Sequence, residues 1–399
     1  MVSSILGTIP AMIAILGIAF VLLGLMIFRR APVVAETKLS VPTPKAVPSI
    51  PFEENDPDLR EIQLIKQGVA QFMVHNEWTA LADQIAEWEA ELAATPGGTR
   101  YHDVAVKVAL SGIQALVDRI PHESFDDLSD AEAELSHFLE THQARPEHHV
   151  LAILAARAHI LLGETCHAGY WPEDMERVAW RKMAKHYMAA GEILSAYDPL
   201  ALMSPLLGET MYLHALGAPG GTRRLPGIFE DWIELDPSNP SIYALHATQF
   251  ADPEDIPDEV ILRDAEFAMS RTEEILGFGG YALFFLPILE LRPGADALLD
   301  AELLAEALQD LASNSATQSD VNWAANSLHA VSEQLPEEVA LSLKDTLFML
   351  IAQKLKVVYP RLWDISTEQI ETLLEESSIL ADILPEEDEN LDDLLPSAA

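Results

Sequence analysis

Cysteine is nearly missing: Cys166 is the single thiol in 399 residues. One thiol forms no internal disulfide and no Cys-x-x-Cys zinc or redox site, so neither device holds this chain together. Basic residues are scarce as well, 24 against 64 acids, for a formal net charge of −40. So negative a surface repels phosphate backbones and anionic headgroups, which argues against nucleic-acid binding. The short patterns that carry chemistry are also absent. There is no GxxxxGK[ST] phosphate loop, no GxGxxG, no GxSxG elbow and no HExxH, which excludes the families that depend on them. No alternating strand pattern or Asn-Gly hairpin stands out.

What is present is helical. Apolar residues make up 49% of the chain, enough for a sizeable core, and alanine, leucine and glutamate dominate over β-branched residues. Stripes at three-and-four spacing recur, as in Leu59-Ile62-Ile65-Val69-Phe72 and Trp78-Leu81-Ile85-Trp88-Leu92. Further helices are expected through Trp180 to Leu194, Leu206 to Leu216, Ile228 to Leu235, Val260 to Leu276, Leu298 to Leu311, Val321 to Leu335, Val339 to Val358 and Ile370 to Leu380. Between them lie helix-to-helix breaks such as Arg145-Pro146, Asp198-Pro199 and Asp236-Pro237. The pentapeptide Pro-Gly-Gly-Thr-Arg occurs twice, at 96–100 and 219–223. Its glycines are expected to end one helix and its threonine to cap the next.

Four regions follow. Residues 1–30 contain the uncharged stretch Ile5–Phe28, long enough as a helix to span a hydrocarbon layer of roughly 30 Å. Nothing basic precedes it in sequence and Arg29-Arg30 follow, the flanks of an uncleaved anchor rather than a signal peptide. With Lys38 and Lys45 on the same side, the positive-inside rule favours a cytoplasmic domain on a single-pass protein, as in a bacterial inner membrane, with the periplasmic side the alternative. Residues 31–57 carry six prolines and read as a semi-rigid tether. Residues 58–384 form the helical domain. Residues 385–399, rich in acid with flanking leucines, read as a disordered tail.

Helix pairs in long succession imply an all-α fold: a transmembrane helix followed by an antiparallel helix-pair domain, an α-solenoid. The segment Trp232-Ile233-Glu234-Leu235-Asp236-Pro237-Ser238-Asn239-Pro240, followed by Ile242, Tyr243, Ala244 and Ala247, resembles the junction between tetratricopeptide-type repeats. The resemblance covers about twenty residues, and no clean repeat period accompanies it: Pro96, Pro146, Pro199 and Pro237 are unevenly spaced. It implies a repeat-like helical domain with a concave protein-binding surface.

Candidate chemistry is sparse. His137, His142, His148 and His149 lie near one another in sequence with Glu140 and Glu147, but a metal needs three or four convergent ligands and Pro146 splits the group. No metal or cofactor is expected, and no catalytic residue is assigned. Acid pairs are too numerous for any one couple to be singled out. One local feature stands apart: Arg177, Arg181, Lys182 and Lys185 interleave with Trp180 and Tyr187. Arg177, Arg181 and Lys185 share a helix face at i, i+4, i+8, where like charges repel. They pair with the chain's own carboxylates or form a docking patch for an acidic segment, such as the carboxyl-terminal tail offers, and so are candidate partner-binding residues. The leading expectation is a membrane-tethered scaffold or assembly factor that binds a protein partner, one that is basic or belongs to a membrane complex. The alternatives are a membrane-anchored all-α hydrolase or lyase with paired carboxylates, and a receptor-like ligand binder.

Overall fold

A computed structural model describes residues 50–119, 128–167, 173–251, 256–314 and 317–381. The membrane anchor expected at Ile5–Phe28, most of the proline-rich tether and the acidic tail lie outside them. The described residues are all-α, with no β-strand beyond two isolated bridges. The helices are α1 (Pro57–Val74), α2 (Trp78–Ala90), α3 (Tyr101–Ala109), α4 (Ser111–Val117), α5 (Ser129–Ala144), α6 (His149–His167), α7 (Glu173–Leu194), α8 (Pro199–Leu202), α9 (Pro205–Gly217), α10 (Leu225–Leu235), α11 (Pro240–Ala247), α12 (Asp258–Leu276), α13 (Gly279–Leu291), α14 (Ala301–Asn314), α15 (Gln318–Ser332), α16 (Glu337–Lys354) and α17 (Thr367–Ala381).

The stretch 58–384, read as one domain from its sequence, divides among the described residues into two compact units, 55–299 and 300–381, the second joined by residues 50–54. The end of the tether is therefore not free. Phe52 bridges Val358 in parallel, Glu53 N–H donates to the Val358 carbonyl at 2.9 Å, and Val358 N–H donates to that of Pro51 at 2.9 Å. Asp56 then caps α1, accepting from Asp58 N–H at 2.7 Å.

In the larger unit consecutive helices pack side by side: α5 on α6, α6 on α7, α9 on α10 and α12 on α13. Contacts between α1 and α3, between α6 and α9, and between α11 and α13 add a further layer. Helix α6 is its centre. Val150, Ile153, Ala155, Ala156 and Leu162 are fully buried, because α6 is apolar around most of its circumference. By length and composition His149–Cys166 would also cross a bilayer, but 72% of that window is buried inside the fold. It is a core helix here.

Helix α13 was not foreseen, for a physical reason. Nine of its residues are buried and Pro287 lies inside it, so no apolar period marks it and a breaker interrupts it. Its close approach to α12 depends on Gly280, where a Cβ would overlap Thr272 Oγ1 and sit 2.6 Å from the Ala268 carbonyl oxygen. Thr272 is itself completely buried. Gly280→Ala is therefore expected to destabilise the larger unit by about 1–3 kcal/mol through overpacking. A thermal melt that does not move would show that the α12–α13 crossing relaxes freely.

The repeated pentapeptide adopts two conformations, and neither threonine caps a helix. In the first copy Gly98 takes φ +79 and α3 starts at Tyr101, with Arg100 before it making no side-chain cap. In the second, Gly220 takes φ +73 and Gly221–Arg224 form a 3-10 turn containing Thr222. Identical local sequence is steered by different surroundings, since Arg100 is buried and Arg223 exposed.

The smaller unit is organised by two asparagines of α15. Asn322 is fully buried; its amide donates to the Gln318 and Val357 carbonyls, and its oxygen accepts from Tyr359 N–H and Trp363 Nε1. Asn326 exchanges two bonds with Asp364. Together they tie the segment after α16 to the helices.

Candidate functional site

The histidines singled out in sequence do not converge. His148 Nε2 meets Asp83 at 3.1 Å, His149 Nε2 meets Glu89 at 3.1 Å, and His137 packs edge-on against Trp78. Glu89 is occupied structurally. It accepts from Ser204 Oγ at 2.6 Å and Leu206 N–H at 2.8 Å, placing a buried carboxylate at the amino end of α9, where the helix dipole favours negative charge. No group of three metal-binding side chains occurs among the described residues.

The basic stretch lies on α7, and its members separate. Arg177, Trp180, Arg181 and Lys185 are exposed, Lys182 is half-buried, and Tyr187 is buried. Tyr187 therefore belongs to the core, not to a docking face. Its ring lies against α6, where a Cβ at Gly163 would come within 2.8 Å of it, and its carbonyl accepts from His214 Nε2 at 2.9 Å. Exposed Val178 and Met188 join the face in place of Tyr187. No ion pair is made by Arg177, Arg181 or Lys185 with the described side chains, and Trp180 remains 42% exposed.

The densest electrostatic arrangement was not legible in sequence. It brings together α3 (His102, Asp103), α6 (Arg157) and α9 (Glu209, Thr210). Arg157 Nε donates to Thr210 Oγ1 at 2.8 Å, and its Nη2 lies 2.5 Å from Glu209 Oε2. Burial pushes the Glu209 carboxyl up, but the charge and hydrogen bond of Arg157 outweigh it and hold the group below its ordinary value. Asp103 goes the other way. Burial, then the neighbouring Glu209 charge, raises it well above the carboxylate range, and Arg157 and Lys107 only partly compensate. Two close carboxylates cannot both ionise cheaply in a poor dielectric, and the one with the arginine keeps its charge.

His102 does not supply the missing positive charge. Burial lowers its pKa, so the ring is neutral at pH 7. Its Nε2 stands 3.5 Å from Asp103 Oδ1, and neither His102 Nδ1 nor Asp103 Oδ1 has a hydrogen-bond partner. Glu164 lies on the same helix seven residues beyond Arg157. It is solvent-accessible, yet the surrounding protein desolvates it enough to push its carboxyl up to about 7.

Next to this cluster a buried clasp fixes the turn that resembles a repeat junction. Arg100 Nε donates to Asp236 Oδ2 at 2.7 Å, Nη2 to Asp236 Oδ1 and to Ser238 Oγ, and Nη1 to the Leu92 carbonyl at 2.9 Å. Asp236 is fully buried and Arg100 nearly so. Asn239 caps α11, and Tyr243 hydroxyl donates to the Pro237 carbonyl at 2.6 Å.

No protein-family model matches the chain, and comparison with curated proteins and with solved structures finds no significant match.

Proposed function

We propose that this protein is a membrane-anchored interaction scaffold, held at the bilayer by Ile5–Phe28 with its helical domain on the cytoplasmic side. A tetratricopeptide-like stacking of helix pairs supplies the surface, and the exposed face of α7 docks an acidic segment of a protein partner. The observation that carries this reading is the α7 face itself. In a chain with a net charge of −40, Arg177, Arg181 and Lys185 stand exposed beside Trp180, Val178 and Met188. A basic rim around apolar anchors is how charged segments are recognised at interfaces.

The test is affinity purification of the full chain from its native membranes in mild detergent. The wild type is compared with the triple reversal Arg177→Glu, Arg181→Glu, Lys185→Glu. Exposed ion pairs contribute up to about 1 kcal/mol each, so the reversal is expected to weaken the partner by about 10- to 100-fold. A partner recovered equally with both proteins, from a variant that still melts like the wild type, would sink the proposal.

A second reading, a hydrolase or lyase, is favoured by one observation: the Asp103 and Glu209 carboxyls are pushed apart, as a general acid and base require. Against it, Asp103 is nine-tenths buried, and substrate needs access to reacting groups.

A further inference from the structure

In the smaller unit the end of α14, the start of α15 and the end of α16 line a cavity of about 330 Å³ that opens to solvent. Ala312 and Val321 are its buried residues, and Ser313, Gln353, Lys354 and Lys356 are exposed around them. The volume falls at the lower end of the range for small-molecule sites, roughly 300–1,000 Å³.

The charge of this lining runs against the composition around it. Residues 300–381 hold fourteen acids and four bases, Lys344, Lys354, Lys356 and Arg361. Two of those four bases line the cavity, and no acid does so among the described residues. Lys344 is paired with Glu333 at 3.2 Å, whereas neither Lys354 nor Lys356 makes an ion pair with a described side chain. Lys354, in the last turn of α16, complements the dipole of that helix; Lys356 lies beyond the helix and has no such role.

The two lysines share a side for a local reason. Between them Leu355 is extended and buried, and in extended chain alternate side chains point the same way. Gln318 of α15 fixes that segment: its amide donates to the Lys354 carbonyl at 3.1 Å, and its oxygen accepts from Lys356 N–H at 2.7 Å. Two residues further on, Val358 pairs with residues 51–53. The backbone beneath the lysines is thus held before a ligand arrives, which lowers the ordering cost of binding. Gln318 also occupies the Lys354 carbonyl, one of the terminal acceptors of α16 that would otherwise repel an anion.

We infer that this cavity binds the phosphate monoester of a small polar molecule, with Lys354 and Lys356 as its counter-charges and Ser313 and Gln353 as neutral donors. Lysine serves phosphate as a point charge, and two of them match a dianion. The phosphate has two sources, a free metabolite or a lipid headgroup. Residues 29–49 reach at most about 75 Å, so on the anchored reading proposed above the bilayer is within range of the cavity.

The experiment is isothermal titration of the full chain in a neutral detergent at low salt. One arm uses sn-glycerol 3-phosphate. The other uses dioctanoyl phosphatidic acid in the same micelles, against dioctanoyl phosphatidylcholine. Saturable binding is expected in at least one arm, and the arm that saturates identifies the source. Glycerate, a singly charged carboxylate of similar size, should bind at least about tenfold more weakly than glycerol phosphate. The double variant Lys354→Gln, Lys356→Gln should weaken the phosphate probe at least about tenfold. Its thermal melt should stay where it is, because both side chains are exposed. Lys344→Gln, at a base of the same unit outside the cavity, should leave binding unchanged.

Absence of saturation in both arms overturns the inference. So does binding that survives loss of both cavity lysines, that falls equally with Lys344→Gln, or that is as tight for glycerate. The α7 triple reversal should leave phosphate binding as it is, and the glycerol phosphate arm needs no membrane, so failure here and failure of the scaffold reading are separable.

Discussion

Replacing Asp236 with alanine is expected to remove about 3–5 kcal/mol of stability from the unit built on Asn55–Leu299, because it strands the Arg100 guanidinium without its counter-ion in a buried site. That is a large part of the net stability of a domain. The geometry explains why the effect should reach the upper range. Asp236 receives two donors from Arg100, and the same guanidinium also holds the Leu92 carbonyl and Ser238 hydroxyl. One substitution therefore loosens the start of α3 and the α10–α11 turn together. Urea unfolding followed by circular dichroism measures it. A loss below about 1 kcal/mol would mean that water or a rearranged partner satisfies Arg100. A cycle with Arg100→Met separates pair from desolvation. The double variant Arg100→Met, Asp236→Leu should be less damaged than the sum of the single changes, since apolar replacement of a whole buried pair is far milder than removing one half.

Acidification should destabilise the same unit through two histidines. His159 on α6 and His186 on α7 face each other with Nδ1 atoms 3.0 Å apart, and both are buried. One ring donates and the other accepts, which requires the accepting ring to be neutral, and burial disfavours a charge on either. Burial first, then His186 and Lys185, pushes His159 down to about 4; burial, then Lys185 and Lys182, does the same to His186. Glu132 of α5, with Oε1 3.8 Å from His186 Nε2, is too exposed to rescue the charge. Unfolded histidine titrates near 6.5, so the unfolded chain takes up protons from pH 6.5 downward while the folded one resists until about 4. Stability is thus intact above 6.5 and lost as pH falls between those values, by about 2 kcal/mol per histidine at pH 5 and about 3 at pH 4. Melting temperatures measured from pH 7.5 to 4.5 on the wild type and on His159→Asn, His186→Asn check this. The double variant should show a much flatter profile. Parallel profiles would assign the acid sensitivity to other groups.

The two effects differ in how far they could be read from sequence. The Leu-Asp-Pro turn around Asp236 and the helices flanking it follow from local rules, a cap and a breaker. Nothing local says that Arg100, 136 residues away, completes the turn. The pentapeptide that carries Arg100 even misleads, since its second copy leaves Arg223 in solvent. The histidine pair shows the same division. The sequence marked a different histidine group, His137 to His149, whose closeness along the chain does not survive folding because each ring finds a separate partner.

By itself the sequence determined that the described residues are helical, most of the helix spans, and the basic face of α7. Those properties depend on residues three and four apart and on the residues that start or stop a helix, so they are written locally. Tertiary structure alone decided that Tyr187 turns inward, that an apolar segment around a proline forms α13, and that residues 51–53 pair with Val358. It alone decided that Asp103, Arg157 and Glu209 meet. The reason is electrostatic as well as geometric. A carboxyl's proton affinity depends on its desolvation and on charges brought near it by packing, and in a chain with 64 acids only packing selects which few are forced to hold a proton.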